Sequence, residues 1–293
     1  MILLIGASGQ LGSQLGKAFM NNQMPFIASS RNPSQLIDKL GANVRTMQGD
    51  LTATDTYLPA LSQVDTLIIC AHALIEKGSK ASYLTDQKGV IDLINACKNF
   101  PIKHIILFSI FRADPNHPLP FFKHKALAEA HLIKSGIPFT ILQCPAFMDF
   151  HIKVLIGESI LKNESVKMLG SGQLKTNFVA VQDLVNLTLK LLNNGPLNNT
   201  ILLGGLNNIS KQDIVKMYGD YLGVKPKMMI IPSFVLRILA VLIAPFHGGA
   251  ARLMGMAAYL DGLDNSIPLK EWPFGVQLTS VNDFVKEHID ANK

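Results

Sequence analysis

Short apolar runs alternate with segments of helical periodicity through the first half of the chain. Most of the runs contain several apolar residues in succession, which is typical of strands buried on both faces. The runs occupy residues 2–5, 25–30, 44–48, 66–70, 104–108 and 138–142. Between them, apolar residues recur three or four positions apart, as in amphipathic helices. This alternation predicts an α/β fold of Rossmann type, a doubly wound parallel sheet with helices on both faces.

The first run leads directly into a glycine-rich turn with the spacing Gly6-x-x-Gly9-x-x-Gly12, and helical periodicity begins at Leu11. Such glycines permit a tight turn, let the backbone approach a pyrophosphate, and let the helix pack closely on the sheet. The amides at the helix N-terminus then face the phosphates. An ordinary strand–helix turn is the structural alternative. The predicted dinucleotide-binding residues here are Gly6, Ser8, Gly9, Gln10, Leu11 and Gly12.

The end of the second run bears on the choice between NAD(H) and NADP(H). An NAD site places a carboxylate there for the ribose 2′-hydroxyl, whereas an NADP site omits it and supplies an arginine. Here Ser30 and Arg31 close the run, and no carboxylate follows until Asp38. A hydroxyl and a guanidinium suit a 2′-phosphate, so the sequence predicts NADP(H) over NAD(H). A solvated surface charge is the other interpretation of Arg31.

The later strand ends supply further candidate cofactor ligands, because ligands of such sheets bind at the carboxyl ends of the strands. Asp50 could accept a hydrogen bond from the adenine amine, and small side chains after the fourth run would let the dinucleotide lie across the sheet. Ser109 would face the nicotinamide. The predicted residues are Asp50, Leu51, Ala71, His72, Ala73 and Ser109.

The second half predicts a smaller lobe. We expect a dinucleotide-binding domain over residues 1–150, its sheet completed by parts of 176–205, and a C-terminal α+β substrate or partner lobe over 151–293. Residues 178–181 are expected to return to the sheet edge. Ser210 and Asp213 have the spacing of a helix capping box. Pro145 and Phe147 are expected to lie over the nicotinamide, and Phe147, Met148 and Phe178 to close an apolar pocket, although core packing explains these side chains equally well.

Composition narrows the choice of partner and compartment. The chain has 293 residues, of which 48% are hydrophobic and 16% charged, and a formal net charge of +6. Lysines and arginines are scattered singly without interleaved aromatics, so we expect no nucleic-acid partner. Cys70, Cys97 and Cys144 lack metal-ligand spacing, which predicts reduced thiols, no metal site and a cytoplasmic protein. The N-terminus has no basic leader, so no signal peptide is expected.

One apolar segment complicates this assignment. From Met228 to Phe246 only Arg237 is charged. Pro232 and Pro245 bracket a helix too short to span a bilayer, and Arg237 would lie near its middle. The sequence favours a buried or partner-facing helix, with an interfacial membrane contact as the alternative.

Several motifs together resemble a known group. Residues 6–12, 30–33, 49–51 and 108–109 resemble landmarks of short-chain dehydrogenase/reductases, in order and at suitable intervals. With residues 121–129, 135–142 and 144–148, the order is similar to the NmrA-like, atypical branch of that superfamily. That branch comprises NAD(P)H-binding proteins, including isoflavone-reductase-like enzymes and assembly factors. The resemblance is good over residues 1–150 and looser beyond.

The resemblance assigns Lys125 to the lysine of the superfamily's Tyr-x-x-x-Lys signature, which holds the nicotinamide ribose. The tyrosine that delivers the proton falls on Phe121, and phenylalanine cannot donate one. In isoflavone-reductase-like relatives a lysine without the tyrosine is thought to act as the acid/base. The candidate catalytic residues are therefore Lys125 and Ser109.

Three functions follow from this resemblance. The first is an NADPH-dependent oxidoreductase acting on a small apolar carbonyl, enone or quinone, with a small-molecule substrate. The second is a non-catalytic NADP(H) redox sensor or assembly factor that acts through a protein partner. Sugar-nucleotide epimerisation is the third, and the missing tyrosine counts against it because that chemistry also needs the proton donor.

Overall fold

The computed structural model describes residues 1–293. The chain divides into two compact units, each formed by several chain segments. The first unit contains residues 1–76, 80–143 and 185–202, and the second contains residues 77–79, 144–184 and 203–293.

The strands are short, as expected from the lengths of the apolar runs. In chain order they are β1 (Ile2–Ile5), β2 (Phe26–Ser30), β3 (Thr46–Gln48), β4 (Thr66–Ile69), β5 (His104–Ile110), β6 (Phe139–Cys144), β7 (Ala146–Phe147), β8 (Val166–Leu169), β9 (Lys175–Val179), β10 (Asn199–Leu202), β11 (Asn208–Ser210) and β12 (Met228–Ile231).

The helices occupy the intervals between these strands. They are α1 (Gln10–Asn21), α2 (Ser34–Leu40), α3 (Leu58–Leu61), α4 (Val90–Cys97), α5 (Pro120–Ile133), α6 (Glu158–Leu161), α7 (Val181–Asn194), α8 (Lys211–Leu222), α9 (Ser233–Ile243), α10 (Gly248–Leu260) and α11 (Val281–Asp290). Wider π-type turns, Tyr83–Gly89 and Asp149–Gly157, lead into α4 and α6.

A seven-stranded sheet forms the centre of the first unit, in the order β10-β6-β5-β4-β1-β2-β3. Its strands are parallel, with Ile2 opposite both Phe26 and Thr66. The four residues of β1 are all buried, as are those of β2, because helices cover both faces. The predicted doubly wound α/β fold is confirmed, and the ends of the observed strands differ from those of the predicted runs by at most two residues.

The central sheet is completed from within residues 176–205, but by a different strand from the one expected. Residues 178–181 were expected at the sheet edge, but β9 belongs to a separate three-stranded sheet of the second unit, in the order β11-β9-β7. The edge of the central sheet is β10, which pairs in parallel with β6. Residues 178–181 are apolar without interruption, whereas β10 begins with Asn199 and Thr200, so hydrophobicity pointed to the wrong segment.

The second unit has its own core, and two predicted pocket residues belong to it. Met148 and Phe178 are fully buried there, packed with side chains of α8 and α11 such as Tyr218 and Val285. The prediction that they line an apolar pocket is therefore wrong. The predicted cap is present, since the Ser210 hydroxyl accepts from the Asp213 amide at 3.1 Å.

The apolar segment 228–246 contains the helix predicted between Pro232 and Pro245. It contains strand β12, which pairs with β8, followed by helix α9 after Pro232. None of the helices in the protein is both long and apolar enough to cross a lipid bilayer.

A buried histidine makes the stability of the first unit depend on pH. Burial lowers the pKa of His104 to about 4, and its Nε2 lies 3.0 Å from the Thr140 hydroxyl. The unfolded chain takes up this proton near pH 6.5 and the folded chain does not, so stability present above pH 6.5 is lost as the pH falls toward 4.

We expect this histidine alone to cost about 2 kcal/mol of unfolding free energy between pH 7 and pH 5. Urea unfolding of His104→Gln should show a shallower decline over that interval than the parent protein. The half-buried His131→Gln variant should stay much closer to the parental slope, because the less complete burial of His131 lowers its pKa less than that of His104. Parallel slopes for His104→Gln and the parent would contradict the account.

Candidate cofactor site

The glycine turn between β1 and α1 is built by close backbone contacts. Gly6 has a φ of +87°, and a Cβ there would lie 2.7 Å from the Ala71 amide nitrogen. A Cβ on Gly12 would lie 2.2 Å from the Gly6 carbonyl oxygen. Any side chain at either position would therefore push the turn away from β4 or α1. The glycines keep the backbone close-packed and leave these two positions without side chains. A turn of this kind lets a dinucleotide phosphate approach the backbone closely.

Helix α1 begins at this turn, and no side chain of its first turn supplies a negative charge at its N-terminus. Its N-cap residue is Gly9, no side chain caps the first turn, and the first turn contains no acidic residue. The amides of Gln10, Leu11 and Gly12 have no partner within the helix, because the first turn of any α-helix leaves its N–H groups unpaired. Together with the helix dipole, these amides form a site that favours an anion.

Two side chains border the turn. The Ser30 hydroxyl, at the end of β2, donates to the Ser8 hydroxyl at 3.2 Å. The Lys39 ammonium, on α2, donates to the Ser8 carbonyl oxygen. The sequence predicted Ser8 and Ser30 as neighbours of the cofactor but missed Lys39. Its position near the end of the helix that follows β2 was the available signal.

Arg31 has a carboxylate partner that the sequence did not predict. Its guanidinium lies 2.5 Å from Glu76, which is on the loop after β4. The hydrogen bond from Arg31 holds the pKa of Glu76 below its usual range. No carboxylate stands at the end of β2, as expected, but a carboxylate from a neighbouring strand end reaches the same guanidinium. Adjacency in a parallel sheet, rather than in the chain, brings them together.

Asp50 and Leu51 follow β3 and are held by local contacts. The Asp50 carboxylate accepts from the Thr52 amide at 2.8 Å and from the Thr52 hydroxyl at 2.9 Å. The Leu51 side chain is buried in the core of the first unit. Leu51 can therefore offer a ligand its backbone but not its side chain.

The small residues after β4 are placed against the glycine turn, as expected from adjacent parallel strands. Ala71 lies beside Gly6, and the Ala73 amide donates to Asp86 at 3.2 Å. The His72 side chain is solvent-exposed. These residues lie at the carboxyl edge of the sheet, where the sequence predicted them.

A buried ion pair anchors Lys125. Its ammonium lies 3.3 Å from a carboxylate oxygen of Asp86, and it donates weakly to the Phe108 carbonyl oxygen at 3.4 Å. Asp86 is completely buried and Lys125 is 4% exposed. Asp86 belongs to the π-type turn before α4, and Lys125 lies on α5. The sequence singled out the lysine but missed its carboxylate partner.

The position of the missing tyrosine is filled by a packed aromatic ring. Phe121 is 6% exposed and lies edge-on to His72, with ring centroids 6.3 Å apart, and edge-on to Phe122. His124 is bound elsewhere, since its Nδ1 lies 3.0 Å from the Ser82 hydroxyl. Neither Phe121 nor His124 has a hydroxyl that could replace that of the superfamily's tyrosine.

Ser109 is engaged with a buried carboxylate. Its hydroxyl donates to Glu129, whose other oxygen accepts from Gln143 at 2.9 Å. Burial raises the pKa of Glu129, and these two hydrogen bonds oppose that shift. Glu129 lies one turn after Lys125 on α5 and was not singled out from the sequence. The Ser109 hydroxyl is therefore held toward α5 by this carboxylate.

The remaining predicted residues belong to the second unit. Pro145 precedes β7, and Phe147 is in β7, which pairs in parallel with β9. Asp149 accepts from the Val181 amide at 2.8 Å, which ties the start of the π-type turn to α7. No group of three or more His, Cys, Asp or Glu side chains is arranged to hold a metal ion.

Comparison with known proteins agrees with this geometry. The model of a family described as NAD(P)H-binding matches residues 6–169. The photosystem II assembly factor Ycf39 of Guillardia theta is 26% identical over 234 residues, covering 79% of this chain and 73% of that protein. A probable pinoresinol-lariciresinol reductase of Arabidopsis thaliana is 28% identical over 232 residues, covering 74% and 72%.

A solved structure supports the fold over nearly the full chain. A nucleoside-diphosphate-sugar epimerase from Staphylococcus aureus superposes with a TM-score of 0.76 at 20% identity, covering 97% of this chain and 99% of that one. The fold and the glycine turn thus define a Rossmann-type dinucleotide-binding protein. The chain belongs to the NAD(P)H-binding family, and the expected membership in the NmrA-like, atypical short-chain dehydrogenase/reductases is confirmed.

The backbone contact at Gly12 gives a direct test of the turn. Gly12→Ala should destabilise the protein by about 3 kcal/mol, because the Gly6 carbonyl cannot move away without displacing β1. The same change should weaken dinucleotide binding, measured by fluorescence titration under conditions where the variant is folded. The matched control is Gly255→Ala in α10, where a Cβ meets only open space. Equal effects at the two positions would contradict the proposed crowding.

The buried pair of Lys125 and Asp86 gives a second test. Lys125→Met should cost about 3–5 kcal/mol of stability, because it leaves the buried Asp86 carboxylate without a counter-charge. The double variant Lys125→Met/Asp86→Asn should recover part of that loss. The control is Lys88→Met, which removes a partner of the exposed pair with Asp92 and should have little effect. A double variant no more stable than Lys125→Met would exclude the ion pair as the cause.

Proposed function

We propose that this protein is an NADPH-dependent oxidoreductase acting on a small apolar acceptor such as a quinone or enone. The observation that carries the proposal is the buried Lys125–Asp86 pair, which is hydrogen-bonded to Phe108 of β5 and to Ala73 after β4. A buried lysine needs a structural or functional reason, because desolvating its charge is costly. Orientation of the nicotinamide ribose by the Lys125 ammonium is such a reason.

The adenosine end supports a preference for NADP(H). Ser30 and Lys39 contact the glycine turn through Ser8, and Arg31 follows Ser30 at the end of β2, so two positive charges lie in this region. In the proposed complex the Arg31 guanidinium turns from Glu76 to the 2′-phosphate, which accepts charge-assisted hydrogen bonds. Glu76 would then disfavour NADPH modestly, because its carboxylate competes for the same guanidinium.

The absence of a tyrosine at position 121 restricts the acceptor. NADPH supplies a hydride, and an ordinary carbonyl would need a proton at the same time because the alkoxide formed without one is strongly basic and high in energy. A quinone that takes up the hydride becomes a hydroquinone anion. This anion is stable enough to form without a proton donor in the site, and it then takes its proton from water. A doubly bonded carbon conjugated to a carbonyl gives an enolate with the same property. These acceptors suit a site whose tyrosine position is Phe121.

Acceptor-dependent oxidation of NADPH tests the function. With a panel of benzoquinones, naphthoquinones and enones, at least one acceptor should cause loss of NADPH absorbance. Lys125→Arg should retain binding more than Lys125→Ala, because it keeps the charge beside Asp86. Turnover that is unaffected by Lys125→Ala would contradict the role assigned to this lysine.

The cofactor preference has its own test. Arg31→Ala should weaken NADPH binding by about tenfold to a hundredfold and leave NADH binding nearly unchanged. Glu76→Gln should strengthen NADPH binding by up to about fivefold, because the competing carboxylate is removed. Fluorescence titration of the reduced nicotinamide measures all three proteins. Equal losses for the two cofactors in Arg31→Ala would show that Arg31 does not recognise the 2′-phosphate.

A second candidate function is a non-catalytic one, in which NADP(H) binding reports redox state to a protein partner. The packed Phe121 ring favours it, because no side chain replaces the proton donor. Similarity to proteins named as photosystem II assembly factors gives this candidate further support. Tight NADPH binding without turnover on any acceptor, and distinct affinities for NADP⁺ and NADPH, would favour it over the reductase.

A further inference from the structure

We propose that helix α9 and the residues beside it bind peripherally to the surface of an anionic lipid bilayer. The site is the outer face of α9, formed by Phe234, Ile238, Val241 and Leu242, which we call the α9 face. These residues follow the i, i+4, i+7, i+8 spacing of one helical stripe. In an ordinary surface helix such a stripe faces the core, whereas here it faces solvent.

Exposure along the α9 face is large. Val241 is 74% exposed and Leu242 62%, and Phe246, just after the helix, is 88% exposed. On the opposite side Leu236 is 1% exposed, where α9 packs against α10. The inward side of the helix thus has its partner, and the outward side is equally apolar without one. Strand β12, immediately before the helix, adds the exposed side chains of Met228, Met229 and Ile230.

The chain segment that forms this surface carries only positive charges. Between Asp220 and Asp261 the chain contains no acidic residue, but it contains Lys225, Lys227, Arg237 and Arg252. The carboxylate of Asp261 is itself occupied by hydrogen bonds from Ser171, Gly172 and Ser233. An apolar helix face within a purely basic segment is complementary to a bilayer that carries anionic headgroups.

Lipid fits this surface better than a protein partner or a second copy. From Met228 to Phe246 only Ser233 and Arg237 have polar side chains, and the Ser233 hydroxyl already donates to Asp261. A protein interface of ordinary size uses about ten hydrogen bonds, for which this surface has few groups. A twofold dimer through the α9 face would place Arg237 of one copy near Arg237 of the other. The segment has no acidic residue to balance these two charges.

The geometry is that of an interfacial helix rather than a span. Helix α9 has 11 residues and is therefore about 16 Å long, about half the thickness of the hydrocarbon core. Lying flat, it can bury the α9 face to the depth of the acyl-chain boundary, while the lysines before β12 stay at the level of the phosphates. The phenylalanines at the two ends of the helix would mark the ends of the buried stripe.

Vesicle cosedimentation of the full chain tests the proposal. Vesicles of phosphatidylcholine containing phosphatidylglycerol should bind the protein at least about tenfold more tightly than phosphatidylcholine alone, and added salt should weaken binding. Val241→Glu should abolish binding, and Arg237→Gln should weaken it by about threefold to tenfold. The matched control is Ile133→Glu, which changes a half-exposed isoleucine of the first unit and should bind like the parent.

Two further measurements distinguish the loss of a lipid contact from the misfolding of a variant. Phe246→Trp should shift its emission to shorter wavelength on addition of anionic vesicles, above the constant signal of the buried Trp272. Circular dichroism melting of Val241→Glu shows whether it is folded, and an exposed position predicts an unchanged melt. No binding to anionic vesicles would overturn the proposal. Sedimentation velocity could instead show a concentration-dependent dimer that Val241→Glu dissociates, and this result would assign the α9 face to a second copy. Equal binding to neutral and anionic vesicles would overturn the role of the basic residues.

Discussion

The geometry of the candidate site in the first unit depends on the close packing of three backbone segments at the glycine turn. Gly6 lies against Ala71 and Gly12 lies against Gly6, at distances that leave no room for a Cβ. This contact joins the ends of β1 and β4 to the start of α1. It fixes where the α1 amides point and brings the loop after β4 beside the loop after β2. The positions of His72, Ala73 and Glu76 near the candidate site all follow from it.

Two ion pairs near this turn differ in environment and therefore in consequence. The Lys125–Asp86 pair is buried, so removing one partner strands a charge in the protein interior. The Arg31–Glu76 pair is largely exposed, so water can replace either partner at low cost. A buried pair suits a fixed element that orients a ligand. An exposed pair suits a group that exchanges one anionic partner for another when the ligand binds.

Sequence periodicity predicted the central sheet because most of its strands contain several consecutive apolar residues, and the glycine turn because its spacing is tied to a strand and a helix. It missed Asp86, Glu76 and Lys39, since each reaches the site from a different chain segment and only the folded sheet brings them together. It misassigned the sheet edge, because β10 is polar at Asn199 and Thr200. It placed Met148 and Phe178 in a pocket, because core and pocket residues have the same composition.

A crystal structure with NADP⁺ would show whether the glycine turn and Lys125 bind the cofactor together. We expect a dinucleotide whose phosphates lie on the amides of Gln10, Leu11 and Gly12, with Lys125 bonded to the nicotinamide ribose and still paired with Asp86. We also expect that Arg31 has left Glu76 for the 2′-phosphate. A cofactor bound away from the glycine turn, or a nicotinamide ribose with no contact to Lys125, would contradict this arrangement.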